Sequence, residues 1–401
     1  MRVVLVVTAF PEPSETFIVT KFAGLVARGL DVHVVCQIER PELWSTLPAL
    51  VKAPQLRERV HVAPTRSNPR AMASSGRGLA RAALARPLST ARYGAELRRV
   101  GAGQLPAMVG TDGFIADLGP DVVHCEFGTL ALERVHQPAL SGAKLTLSLR
   151  GWDINSFGLG DPTAYAPVWS TVDAVHCLGQ DLLRRARRRG LPESVPVSII
   201  PPAVDTGFFV PPPGACAARP GPLRILTAAR LHWKKGHEHA LAAVAALRAH
   251  GVDVRYRIVG SGPHEAAVRA AIAHHGLEDV VEIHGTCPPE VVREHLWWAD
   301  VVLHGATSEG FCNAVVEAQA CGVPVVCTDA DGLPENVAHE VSGLVVPRRN
   351  PAALAEALAS LACDPCRRRE LGAAGRQRAV TLFGLDDHLD RWQAFFEALA
   401  P

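Results

Sequence analysis

Short runs of valine, leucine, isoleucine and alanine, bounded by turn residues, recur along the chain. In the first half they fall at 3–8, 31–36, 121–124, 143–149, 173–177 and 196–200. They are too short for helices and too continuously apolar for one-sided strands, so they read as strands buried on both faces. Between them, 16–28, 129–139 and 179–189 place apolar residues at three- and four-residue spacing, the pattern of amphipathic helices. The second half restarts the rhythm at 223–227, 254–259, 280–283, 301–303 and 323–326. Strands alternating with helices predict parallel sheets with helices on both faces. Residues 40–110, rich in arginine, proline and alanine, break the rhythm and are expected to form helices and loops inserted between strands.

A proline-dense stretch at 201–222 (Pro201, Pro202, Pro211, Pro212, Pro213, Pro220, Pro222) reads as a stiff connection. The expected organisation is a first domain over 1–200, carrying the basic insert at about 40–110, and a linker over 201–222. A second domain over 223–383 and a C-terminal helix over 384–401 follow. The length of 401 residues agrees, because it exceeds what one core usually serves.

Apolar content of 48% with 20% charged residues is that of a soluble globular protein, and a net charge of +1 gives no reason to expect nucleic acid as a partner. The charge is unevenly spread: residues 51–100 hold Lys52 and ten arginines against Glu58 and Glu96. In segment 66–99 arginines are interspersed with Leu79, Leu84, Leu88 and Leu97, and a second basic run covers 184–189. Such segments suit peripheral contact with anionic lipid, where each basic residue contributes about 1 kcal/mol; a solvated helical face explains them equally well. No run approaches the ~18–20 apolar residues of a membrane span. The opening apolar run is too short for a signal-peptide core and reads as a first strand. Cysteines such as Cys36, Cys177 and Cys327 lie inside apolar runs, where they act as small hydrophobes. A reducing, cytoplasmic compartment is expected. Cys363 and Cys366 have metal-ligand spacing but lack a second pair. Arginine outnumbers lysine 36 to 5, which points to a GC-rich bacterial genome.

The most informative stretch is 308–322, Ser-Glu-Gly-Phe-Cys-Asn-Ala-Val-Val-Glu-Ala-Gln-Ala-Cys-Gly, lying between two apolar strands. Eight helical residues rotate the chain about 80° beyond two full turns, so Glu309 and Glu317 would not share a helix face. Glu309 and Gly310 therefore belong in the loop at the strand's carboxyl end, with Glu317 one turn into the helix. That edge is where open α/β sheets bind ligands, and amides around Gly310, Phe311, Cys312 and Asn313 would offer donors to phosphate or sugar oxygens. Arg230 and Lys235 follow the 223–227 strand, where a guanidinium and an ammonium suit a diphosphate. Gly260-Ser261-Gly262 follows the next strand but lacks the third glycine of a dinucleotide fingerprint.

These motifs resemble the donor site of the large family of retaining nucleotide-sugar glycosyltransferases with the GT-B fold. That family carries two glutamates separated by seven residues and then Gly-x-Pro-Val-Val, matched here by Glu309, Glu317 and Gly322-Val323-Pro324-Val325-Val326. The resemblance implies an α/β GT-B fold of two facing Rossmann-like, doubly wound parallel-sheet domains. It implies that Arg230 and Lys235 contact the donor diphosphate, that Glu309 and the amides after it face the sugar, and that Glu317 bonds the ribose. It places Gly260 and Gly262 near the nucleotide and returns the last helix to the first domain. No metal or other cofactor is expected, since the two cations replace a divalent ion at the leaving group. Asp329-Ala330-Asp331 is expected to be an ordinary polar turn.

On the acceptor side, Ser14-Glu15-Thr16-Phe17 resembles the turn of bacterial exopolysaccharide transferases of the colanic-acid and amylovoran type. Locally, Ser14 or Thr16 would cap the next helix. Glu126, and Arg150 with Asp153, end two further strands; relatives usually carry histidine at the first two positions, and acceptor and structural roles are both open. An arginine at 150 could stabilise the diphosphate but not act as a base. The expected function is transfer of a sugar from a nucleotide-sugar to an acceptor hydroxyl with retention, in exopolysaccharide or glycoconjugate biosynthesis. The acceptor would be a saccharide, a lipid-linked oligosaccharide or a small metabolite. A sugar-nucleotide epimerase or hydrolase on the same fold, and a non-catalytic nucleotide-sugar binder, remain as alternatives.

Overall fold

The computed structural model describes every residue except 13–14, 65–68, 98–104, 215–220 and 401. The chain divides into two compact units: Met1–Leu178, Leu182–Ile200 and Leu389–Pro401 form the first, Gly179–Asp181 and Pro201–His388 the second.

The first unit is built on a seven-stranded sheet of β1 (Arg2–Phe10), β2 (Asp31–Glu39), β3 (Val60–Val62), β4 (Val122–Cys125), β5 (Lys144–Leu149), β6 (Ala174–Cys177) and β7 (Val197–Ile199). The strands lie in the order β3-β2-β1-β4-β5-β6-β7, and every pairing is parallel. Val3, Val4, Leu5, Val6 and Val7 are all buried, as expected of a strand covered on both faces. The helix Thr16–Ala27 buries Ile18, Val19, Phe22 and Leu25 against it.

Two expectations need correcting here. The 40–110 segment is not only an insertion of helices and loops, because β3 lies within it and extends the sheet. The rest of that segment includes helices Pro69–Ala85, Pro87–Leu97 and Leu105–Asp117. The first and third approach closely because glycines face each other: a Cβ on Gly78 would stand 1.9 Å from the Gly113 carbonyl oxygen. The single helix expected at 129–139 is two short ones, Gly128–Leu132 and Gln137–Ser141.

The second unit has a six-stranded sheet of β8 (Leu223–Ala228), β9 (Val254–Val259), β10 (Val281–Ile283), β11 (Val301–His304), β12 (Val325–Thr328) and β13 (Gly343–Val346). Its order is β10-β9-β8-β11-β12-β13, again all parallel. Successive residues of one strand serve opposite faces. Thus Ile225, Val301, Leu303 and Val326 pack into one apolar cluster, and Leu226, Val302, Val325 and Cys327 into the other. β13, a short edge strand, had no counterpart among the expected strands.

The proline-rich 201–222 stretch is not a free connection along its whole length. Val204 bridges to Gly384, Phe209 enters the second core, and the Trp297 indole N–H donates to the Val210 carbonyl at 2.7 Å. Residues 215–220 lie outside the described residues.

The C-terminal helix Leu385–Glu397 carries Trp392, Phe395 and Phe396, all buried within the first unit. Their rings pack edge-on against the His124 imidazole, which also bonds the Thr146 and Ser148 hydroxyls at 2.8 and 2.9 Å. The Trp392 ring lies under the Lys21 ammonium at 3.7 Å. Trp392→Ala should therefore destabilise the protein by about 3–5 kcal/mol, read as a lowered urea midpoint, with Trp392→Phe losing much less. An unchanged midpoint for the alanine variant would mean that the helix does not hold this core together.

Candidate functional site

In a parallel sheet, ligands bind outside the carboxyl ends of the strands where the strand order reverses. In the second unit that reversal falls between β8 and β11. The loop after β8 carries Arg230 and a 3₁₀ turn, Trp233–Lys235; the loop after β11 carries Glu309. The two loops are tied together, since the Thr307 amide donates to the Lys234 carbonyl at 2.8 Å. Gly236, at φ +60°, permits this approach: a Cβ there would lie 1.9 Å from the Gly305 carbonyl oxygen.

The Lys235 ammonium and the Glu309 carboxylate form an ion pair across this junction. Burial disfavours the Glu309 charge, but Lys235 and then His304 outweigh it and hold the carboxyl down at about 2. Burial likewise opposes the Lys235 charge, and Glu309 overcomes it, so the lysine pKa is raised. Arg230 is exposed, and its positive charge reaches Lys235 and works against it. Two cations and one carboxylate thus share this edge, leaving a positive excess suited to an anionic ligand.

Glu309 is braced from below. Asp331 accepts the Ser308 hydroxyl at 2.7 Å and the Glu309 amide at 3.1 Å, and its other oxygen accepts from Arg348 at 2.8 Å. Asp331 lies in a turn, as expected, closed by the Leu333 amide donating to the Ala330 carbonyl at 3.0 Å, but its side chain does more than face solvent. Its side chain is buried and fixes the donor loop, because a buried carboxylate must satisfy its oxygens. The amides of Glu309 and Cys312 are already taken, the second by the Asn336 side chain at 3.2 Å. Those of Gly310, Phe311 and Asn313 have no protein acceptor among the described residues. The Phe311 ring packs edge-on against Phe383 and is a core anchor as much as a site residue.

Gly260 and Gly262 are pressed against the backbone that carries Arg230. A Cβ on Gly260 would meet the Ala229 carbonyl oxygen at 2.1 Å, and one on Gly262 the Leu231 oxygen at 2.4 Å. Their glycine identity is thus explained by packing of the Arg230 loop. Glu317 sits in the helix Asn313–Ala320, as the rotation argument requires. Burial of its carboxyl, with no opposing cation, pushes it up to about 7.

His304 was missed by the sequence reading. It ends β11, is buried, and directs Nε2 at both Glu309 Oε2 (3.4 Å) and Cys312 Sγ (3.5 Å). Burial would lower its pKa, but Cys312 and Glu309 raise it to about 9. Histidine at the final position of an apolar strand, next to a ligand-binding loop, was the available signal.

In the first unit the strand order reverses between β1 and β4. Glu126, after β4, is fully buried and pairs with both Lys21 and Arg150; the Arg150 Nε also donates to the Glu126 carbonyl at 2.9 Å. Asp153 accepts the backbone amides of Gly128, Arg150, Gly151 and Ile154 at 2.9–3.1 Å. Both carboxylates are thus engaged by protein partners in the ligand-free chain. Lys21 was also missed, although it falls on the apolar stripe of Ile18, Phe22 and Leu25, where a lysine needs a partner. Burial brings its pKa down to about 8 against the pull of Glu126. Arg150 keeps some exposure and stacks on Phe17 at 4.2 Å. Glu15 stands at the start of the helix Thr16–Ala27, and burial raises it to about 7 despite Arg150. Thr16 is exposed, and the N-cap residue, Glu15, makes no side-chain capping bond; Ser14 lies outside the described residues.

Both units are doubly wound on parallel sheets, and the second carries two cations and a carboxylate at its switch point. The family model for glycosyl transferases group 1 matches residues 216–378. A protein assigned by name to colanic acid biosynthesis in Escherichia coli, the glycosyltransferase WcaL, is 30% identical over 379 residues, covering 90% of each chain. The amylovoran biosynthesis glycosyltransferase AmsK of Erwinia amylovora is 40% identical over 146 residues, 35% of this chain and 36% of that one. Among solved structures, Anabaena HepE in complex with UDP and glucose superimposes with a TM-score of 0.75 at 16% identity, over 99% of this chain and 100% of that one. The chain belongs to the glycosyl transferases group 1 family.

Glu317 yields a pH-dependent prediction. Its folded pKa of about 7 lies above its ordinary value of 4.5, so its contribution to stability is present below that value and is lost as pH rises through 7. Glu317→Gln removes the loss. The ligand-free variant should match the parent near about pH 4 and exceed it by roughly 1–2 kcal/mol near about pH 8, a figure discounted for the partial exposure of the side chain. Equal thermal midpoints at both pH values would show that the carboxyl is solvated.

Proposed function

We propose that this chain transfers a sugar from a nucleotide diphosphate donor held by the second unit to an acceptor hydroxyl, with retention at the anomeric carbon and without a metal ion. The Lys235–Glu309 pair at the β8/β11 reversal, with Arg230 beside it, carries this reading. Arg230 and Lys235 stabilise the charge that develops on the leaving diphosphate, the work a divalent ion does elsewhere. Lys235 would then exchange part of its interaction with Glu309 for the diphosphate, and the Glu309 loop would turn to the sugar. Glu317, ionised, would accept the ribose hydroxyls.

The acceptor reading draws on relatives named for colanic acid and amylovoran biosynthesis, and favours a saccharide or lipid-linked oligosaccharide. In the first unit Arg150 and Glu15 keep the exposure an acceptor site needs, whereas Glu126 and Asp153 hold that edge in shape. An epimerase, a hydrolase or a non-catalytic binder would share the donor site, and donor turnover with and without acceptor extract separates these from a transferase.

Peripheral attachment to the inner face of the cell membrane is part of the same reading. Leu84 and Leu88 are 85% and 87% exposed on helices Pro69–Ala85 and Pro87–Leu97, among basic side chains. Residues 66–68 and 98–99 of the basic segment lie outside the described residues. No helix among the described residues is long and apolar enough to cross a membrane.

A thermal-shift panel of UDP-, GDP-, dTDP- and ADP-sugars in EDTA should identify one stabilising donor. With that donor, Arg230→Ala should lower turnover by about 10²–10³-fold while leaving the fold intact, and NMR of the product should show the donor's anomeric configuration. Turnover within a few-fold of the parent would remove Arg230 from the mechanism; an inverted product would overturn retention. Separately, the protein should co-sediment with anionic vesicles at low salt, and Leu84→Glu with Leu88→Glu should abolish this. Absence of binding by the parent would rule out membrane attachment through this segment.

A further inference from the structure

The donor loop holds a second chemical possibility in His304, Glu309 and Cys312. One ligand-capable atom from each lies within 4.8 Å of the other two, the only such trio among the described residues. A zinc ion with tetrahedral bonds of about 2.0–2.3 Å sets its nitrogen and oxygen ligands about 3.4 Å apart, and its nitrogen and sulfur ligands about 3.5 Å apart. The separations here are 3.4 Å for His304 Nε2 to Glu309 Oε2 and 3.5 Å for His304 Nε2 to Cys312 Sγ. Thiolate and imidazole are donors that zinc favours, and carboxylate is a further ligand it accepts. Three protein ligands leave a fourth position for water. The place already stabilises a cation, the Lys235 ammonium, and a lysine on a flexible stem is able to withdraw from it.

We propose that His304, Glu309 and Cys312 bind a thiophilic divalent cation, with Zn²⁺ as the type, and that occupancy switches the donor site off. Binding takes the Glu309 carboxylate away from Lys235, releases the His304 Nε2 proton and the Cys312 thiol proton to solvent, and forms the metal–nitrogen and metal–sulfur bonds. The loop that faces the donor sugar is then locked on the metal. This regulatory step rests on the donor site proposed above; the metal binding itself does not. Transfer needs no metal, and this metal inhibits it.

The test uses the full chain carrying Cys363→Ser and Cys366→Ser, because that exposed pair would itself take up metal. Co²⁺ should produce thiolate-to-cobalt charge-transfer absorption at one equivalent, and calorimetry should show one Zn²⁺ bound. Cys312→Ser should remove the absorption, and both Cys312→Ser and His304→Gln should weaken Zn²⁺ binding by at least about tenfold. Their thermal midpoints in EDTA report folding, and His304→Gln carries the test if Cys312→Ser fails to fold. Zn²⁺ should weaken donor binding in the parent, reversibly with EDTA, and leave the His304→Gln variant unaffected. An absent cobalt band, or equal Zn²⁺ affinity in parent and variants, would overturn the site. Zn²⁺ bound with donor affinity unchanged would overturn the switch. Failure of every donor to bind in EDTA would defeat the donor reading while the cobalt spectrum still reports on the metal site.

Discussion

The Lys235–Glu309 ion pair is the contact on which the donor edge depends. Its partners lie 74 positions apart in the chain and meet because β8 and β11 are neighbours in the sheet. Both side chains are largely buried, so each charge needs the other: removing one partner of a buried pair commonly costs about 3–5 kcal/mol, most of it from the charge left behind. The surrounding bonds follow from holding this pair in place. Thr307 is tied to the Lys234 carbonyl, and Asp331, itself neutralised by Arg348, fixes Ser308 and the Glu309 amide.

The first unit meets the same physical problem with a different outcome. Its strand order also reverses, and charged groups also collect at the carboxyl edge, in the Lys21–Glu126–Arg150 triad. There the side chains of Lys21 and Glu126 are 1% and 0% exposed, against 16% and 11% for Lys235 and Glu309. The first pair is closed over by Trp392, whereas the second keeps some surface. Arg150 bridges the two situations within its unit, with one face on Glu126 and some surface left to solvent.

Much of the chain is legible from its residues. Apolar runs bounded by turns locate eleven of the thirteen strands in the two sheets, since a strand buried on both faces has no polar position to interrupt it. The missed strands, β3 and β13, are short edge strands with half-exposed residues, which carry little of that signal. The spacing of Glu309 and Glu317 correctly separates loop from helix, because helical rotation is a local property. Gly260 and Gly262 stand out in the sequence as a turn motif, but their tight packing against Ala229 and Leu231 is visible only in three dimensions.

What the sequence alone determined is therefore the alternating α/β plan, the family motif and the chemical types available at each strand end. Tertiary structure decided which of those groups meet. Asp331 became a brace, Glu126 and Asp153 found protein partners, and His304 joined Glu309 and Cys312. The physical reason is that periodicity and propensity act over a few residues, whereas a charge finds its partner through strand order. That order brings together loops separated by dozens of residues and sets how much water remains between them.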